Sequence, residues 1–176
     1  EFLDLKLRRE MGSFGYHYAK SQILGDVEEV FNEITNKSLE KIGLQEVMSD
    51  FWDNWNELFK ESDSLTVRGL VHESSVAFAD TVNHISNQLD SIRQDLNTEI
   101  LNKVEETNSI LNRIGQLNKS IKLAEGENSK MMANDFRDER NALLDRLSEL
   151  LPITSYENTY GETVVHLYGK DLVNSN

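Results

Sequence analysis

Cysteine is absent from the 176 residues, which excludes disulfides, thiolate nucleophiles and Cys-ligated zinc. Proline occurs once and glycine nine times, so few positions interrupt a helix. Bases are scarce: 18 Lys and Arg face 31 Asp and Glu, for a net charge of -13. Nucleic-acid phosphates and anionic lipid surfaces need clustered Lys and Arg, so the charge argues against both as partners. The charge instead favours solubility and mutual repulsion of free subunits. No apolar run approaches a membrane span, and the opening Glu1-Phe2-Leu3-Asp4 is not a signal peptide. It starts abruptly inside a helical pattern, as an excised piece would. Hydrophobic content of 38% and a mean hydropathy of -0.53 are low for a compact globule. Long amphipathic helices have such values, because each buries only one stripe.

The spacing predicts a first helix from Phe2 to Ile34. Leu3, Leu7, Phe14 and Tyr18 form one stripe; Tyr16, Ile23, Val27, Val30 and Ile34 form another. Gly12-Ser13 and Gly15 are expected to loosen it, and Asn36-Lys37-Ser38 reads as a loop. A second helix is expected over Leu44 to Lys60, with Phe51, Trp55, Leu58 and Phe59 on one face and Trp52 at its edge. Ser62-Asp63-Ser64 reads as a turn, with Ser64 as N-cap of the next helix.

That third helix carries the strongest signal. From Leu65 to Ala124 there is no proline, and apolar residues recur at Phe78, Val82, Ile85, Leu89, Ile92, Leu96, Ile100, Val104, Leu111, Ile114, Leu117 and Ile121. Early steps alternate four and three, as in a heptad. From Ile92 to Val104 every step is four, a stutter that relaxes left-handed supercoiling. Thr107 places a polar group at the next seam position. The run Glu125-Gly126-Glu127-Asn128-Ser129 breaks the helix. A fourth is expected from Asp135 to Leu151, capped by Asn134 or Asp135 and ended by Pro152. Beyond Pro152 the period falls to two: Ile153 to Tyr156 and Thr163 to Tyr168 are β-prone and predict a hairpin.

The predicted fold is therefore mainly α. It is an elongated helical bundle with one very long helix (about 65–124), followed by a short β-hairpin opening a truncated β domain. Residues 1–152 form the helical rod and 153–176 the start of a β-rich domain or hairpin. The expected core anchors are Phe51, Trp55, Leu58, Phe78, Leu89, Leu96 and Leu117.

Catalytic patterns do not converge. His72-Glu73 opens like a zinc-protease helix, but the required second histidine is Val76. The remaining histidines, His17, His84 and His166, are scattered. There is no phosphate loop, nucleophile elbow or EF-hand, and no cofactor or metal is expected. The charged run Asp135, Arg137, Asp138, Glu139, Arg140 has two readings. Arg137, Asp138 and Arg140 would dock a neighbouring subunit through bidentate Arg pairs. As structure, the run is a helix N-terminus with dipole-favoured acids and local ion pairs, and this reading carries more weight. Trp52 and Trp55 read as anchors of the short helix, or as an exposed recognition patch.

Several motifs in fixed order resemble the family of flagellar hook-associated protein 1. Asp50-Phe51-Trp52-Asp53-Asn54-Trp55-Asn56-Glu57-Leu58, then Ser64-Leu65 and Arg68, resemble its D-F-F-x-x-W-x-x-L and S-L-x-x-R elements. Phe78, Asn83 and Asn87-Gln88-Leu89 follow its next run; Val104, Asn108, Ile114, Leu117-Asn118 and Ile121 follow another. Asn134 to Arg140 with Leu143-Leu144-Asp145 is similar to its N-D-L-R-D-x-R-x-x-L-L-D element, and Leu3 to Ala19 fits its first rod helix. Ser62 departs from a position where the family often has proline.

The resemblance implies a structural role in the bacterial flagellum, joining hook to filament, and not an enzyme. It implies export through the flagellar type III system without a cleaved signal and an extracellular place on the flagellum. The implied partners are neighbouring copies, hook protein, the second junction protein and flagellin, with an export chaperone bound through other regions. It also implies a flagellin-like helical core in which a far C-terminal helix packs beside these helices. The rival is a non-flagellar helical coiled-coil adaptor or tether, which would account for the seam residues but not for the motifs outside it.

Overall fold

The computed structural model describes residues 2–32, 44–126 and 130–173. Among them are four helices and three strands: α1 (Phe2–Asn32), α2 (Leu44–Lys60), α3 (Leu65–Gly126), α4 (Lys130–Leu150), β1 (Thr154–Glu157), β2 (Thr163–Leu167) and β3 (Lys170–Val173). The chain is mainly α with one very long helix. Ile34, the Asn36-Lys37-Ser38 loop and the break at Glu127-Asn128-Ser129 lie outside the described residues.

The chain divides into two compact units, Glu1–Ser21 with Thr98–Asn176, and Gln22–Asn97. In the Gln22–Asn97 unit, Val30, Val47, Val67, Val71 and Ile85 are buried. The Phe51 ring stacks on Phe78 with centroids 5.5 Å apart and meets Trp52 and Trp55 edge-on. The Ser64 hydroxyl accepts from the Val67 amide at 3.4 Å, so Ser64 is the N-cap the sequence predicts. Arg68 donates twice to the Ser62 carbonyl, tying the turn between α2 and α3.

In the other unit the core is Ile110, Ile114, Leu144, Leu147, Val165 and Val173, widened by Leu111, Leu143, Leu150, Leu151 and Ile153. On α3 the buried positions Ile110, Ile114, Leu117, Ile121 and Ala124 step by four and three, a heptad face laid against α4 and the sheet. Ile100 and Val104, the end of the stutter, are exposed. α3 runs through that stretch as one helix.

α1 is unbroken, which corrects the expected loosening at Gly12-Ser13 and Gly15. The two glycines serve close approach instead. A Cβ at Gly12 would lie 3.1 Å from the Ser148 carbonyl oxygen, and one at Gly15 would press into the Glu149 backbone. α4 begins at Lys130, so Asn134 and Asp135 lie within the helix and are not caps. Lys130-Met131-Met132-Ala133 is a run of strong helix formers, enough to extend it by a turn.

The expected hairpin is a three-stranded antiparallel meander, β1-β2-β3. Tyr156 pairs with Val164, and Leu167 with Lys170. The two-residue loop Tyr168-Gly169 has φ of 49° and 81°, the pair of positive values that a tight I′ hairpin requires. Thr163, Val164 and Val165 of β2 are buried, so the sheet packs onto the helices.

Candidate functional site

The sheet is held on the helices by a polar knot. Asn118 sits on the buried face of α3 beside Leu117. Its amide nitrogen donates to the Thr163 carbonyl at 2.9 Å, and its oxygen accepts from the Thr163 amide at 3.1 Å. One side chain thus pairs both backbone groups of a buried β2 residue, as a neighbouring strand would. Arg140 of α4 donates to the same Asn118 oxygen at 2.8 Å, to the Gly161 carbonyl at 3.1 Å and to Glu157 at 3.3 Å. Its Nε has no partner among the described residues. Burial pushes the Arg140 guanidinium down from its ordinary range, and Glu157 pulls it back.

The β1–β2 link is preset for this contact. The Asn158 side chain accepts from the amides of Tyr160 and Glu162 at 2.9 and 3.0 Å. Gly161 adopts φ +77°, which presents its carbonyl to Arg140. Lys122 reaches Glu162 at 3.3 Å and lies over the Tyr160 ring.

Ion pairs join the helices outside the knot. Arg113 grips Glu139 with two bonds, 2.7 and 2.9 Å, and holds its carboxyl below the usual range. Arg146 donates one bond to Glu106, at 2.7 Å, and likewise holds that carboxyl below its usual range. Arg8 of α1 reaches Asp145 at 2.8 Å and Ser155 at 3.3 Å, beside the glycine contacts with α4. Among the described residues no three His, Asp or Glu side chains gather as a metal site. His166 contacts Asp171 and stacks on Tyr156.

The residues singled out in the sequence fall in different places. Arg140, with 3% of its side chain exposed, spends its fork inside the chain and offers none to a neighbour. Arg137 is one-third exposed and bridges Glu125 and Glu157. Asp138 is exposed. Of the expected anchors, Leu117 is 1% exposed, and Phe51, Leu58, Phe78, Leu89 and Leu96 are half-buried. Trp55 is corrected: it is 46% exposed, because the α2 face that meets α3 is centred on Val47, Phe51 and Leu58. Phe59, placed on that same face in the sequence, is 91% exposed. Asn118, Glu157, Gly161 and Thr163 were not singled out as a site. The available signal was an asparagine between Ile114 and Ile121 on a buried helical face.

The model of the flagellar hook-associated protein FlgK helical domain matches residues 24–176. Flagellar hook-associated protein 1 of Bacillus subtilis (strain 168) is 31% identical over 169 residues, 96% of this chain and 32% of the relative. The structure of the flagellar hook junction protein FlgK from Burkholderia pseudomallei has the same fold, with a TM-score of 0.77 at 19% identity. That likeness covers 96% of this chain and 28% of the other. The chain thus spans about a third of the length of the curated relative. With residues 24–176 matched, the chain belongs to the family of the flagellar hook-associated protein FlgK helical domain.

Proposed function

We propose that this chain is the helical part of a junction protein that joins hook to filament in the bacterial flagellum. The family match over 24–176 carries the reading, and it favours the junction over a free coiled-coil tether. The role is mechanical, not catalytic. Helices joined by close packing and a buried knot resist strain, because close-packed interiors leave little room to deform. Residues 1–152 act as the helical rod, and 153–176 begin the β part seated on it.

The partners proposed for the whole protein are neighbouring copies, hook protein, the second junction protein and flagellin, with an export chaperone bound elsewhere. The protein reaches the cell exterior through the flagellar type III system, without a cleaved signal. Arg137 and Asp138 present the exposed part of the charged run, and they are proposed to meet a neighbouring subunit there. The test is complementation with the full-length gene in a strain lacking hook-associated protein 1. Filaments restored on existing hooks are expected. Stable, secreted protein with bare hooks would overturn the reading.

A further inference from the structure

The C-terminus of α4 does not finish itself. Helices commonly end on a left-handed glycine that returns bonds to the last carbonyls, and Leu151-Pro152 offers none. Pro152 stands four residues after Ser148 and has no N–H, so the Ser148 carbonyl lacks its helical donor. The Ile153 amide, four residues after Glu149, donates to the Leu151 carbonyl instead. The last turn carries no base to meet the negative end of the helix dipole. Ser148 is 2% exposed, so bulk water is no substitute.

α1 supplies each missing part from far up the chain. Arg8, Gly12 and Gly15 are spaced four and three, on one face of α1. A Cβ on Gly12 would stand 3.1 Å from the Ser148 carbonyl oxygen, and one on Gly15 would overlap that of Glu149. In each glycine an α-hydrogen takes that direction, the geometry of a weak C–H···O contact. Arg8, with 13% of its side chain exposed, donates to Asp145, one turn before Glu149, and to Ser155 of β1. One face of α1 thus holds the end of α4 and the start of β1, on both sides of Pro152. We infer that α1 is the C-terminal cap of α4, a strap that fixes the corner between α4 and the β part, with Arg8, Gly12 and Gly15 as its positioning residues. Capping and docking are one contact, so they are coupled. Loosening α1 loosens the corner, and a shift of the corner releases α1. This coupling goes beyond the junction reading, which complementation tests separately.

Amide hydrogen exchange in the whole chain tests the strap. Gly15→Ala adds bulk against Glu149, and Arg8→Met removes the bonds to Asp145 and Ser155 without adding any. Each is expected to quicken exchange at Leu150, Leu151 and Ile153 by about tenfold, the scale of one carbonyl left unmet. Amides of the Gln22–Asn97 unit should keep their rates. Pro152→Ala separates capping from packing. Its added amide, with that of Ile153, continues the helix and serves Ser148 and Glu149. In that background Gly15→Ala should no longer quicken Leu150 and Leu151. Because Arg8→Met adds no bulk, the test stands even if Gly15→Ala fails to fold. A corner that stays protected in Arg8→Met would overturn the inference. So would exchange that quickens alike in the Gln22–Asn97 unit, or a Gly15→Ala effect undiminished by Pro152→Ala.

Discussion

Replacing Asn118 by Ala should cost more than replacing Arg140 by Met, although Arg140 is the larger and charged partner. Asn118→Ala leaves the amide and carbonyl of the buried Thr163 without their bonds and takes from Arg140 Nη1 one of its two acceptors, the Gly161 carbonyl remaining. Each such group costs about 1–3 kcal/mol if nothing replaces the bond. With some relaxation and water entry, the total is roughly 3–5 kcal/mol. Arg140→Met keeps the packed stem and removes a guanidinium already disfavoured by burial, together with an Nε that has no bond. Glu157, left behind, is 40% exposed and still faces Arg137 at 3.7 Å, so no buried charge is stranded. Asn118 keeps both bonds to Thr163. The expected cost is about 1–2 kcal/mol. Urea denaturation followed by the near-ultraviolet signal of Tyr156, Tyr160 and Tyr168 reads this unit. Both tryptophans lie in the Gln22–Asn97 unit and serve as an internal control. Amide exchange at Thr163 should quicken strongly in Asn118→Ala and little in Arg140→Met. If Arg140→Met costs as much as Asn118→Ala or more, the sheet hangs on the charge and the reasoning fails.

Three further outcomes are expected. Gly15→Ala should destabilise by roughly 1–3 kcal/mol, because its Cβ meets the Glu149 backbone, whereas Gly25→Ala, with open space around it, should stabilise by up to about 1 kcal/mol; thermal melts of both variants check the pair. Phe78→Ala removes the ring stacked on Phe51 and should cost about 2–4 kcal/mol in tryptophan-monitored denaturation, while Phe59→Ala at an exposed site should leave monomer stability within about 0.5 kcal/mol. Arg146 holds Glu106 below its ordinary 4.5, so the stability from this pair is present above pH 4.5 and is lost as pH falls through the folded-state value. Glu106→Gln should remove that part of the acid dependence, less than about 1 kcal/mol for a surface pair, and an unchanged acid-denaturation curve would count against the pairing.

The helices were legible because their information is local. Period 3.6 without proline defines α3 to within two residues of its end, and Ser64 caps it where its hydroxyl can reach Val67. The third strand was missed because Lys170–Val173 is short, and its signal is only a tight X-Gly loop. Trp55 was misplaced for another reason: periodicity groups Phe51, Trp55, Leu58 and Phe59 as one apolar face of α2 but does not say which part of that face meets α3. The same blindness hid the polar knot. An asparagine on a helix is unremarkable until a strand 45 residues later presents its backbone to it.

The sequence by itself determined that the chain is helical, acidic, without thiol chemistry and of the flagellar hook-associated protein family. Those properties follow from residue type, spacing and motif order along one dimension. Only the tertiary structure decided that Gly12 and Gly15 admit α4, that Arg140 turns inward to meet Asn118 and Gly161, and that Trp55 and Phe59 are left exposed. These are contacts between elements far apart in the chain. Their outcome depends on which faces the packing buries, and local periodicity leaves that choice open.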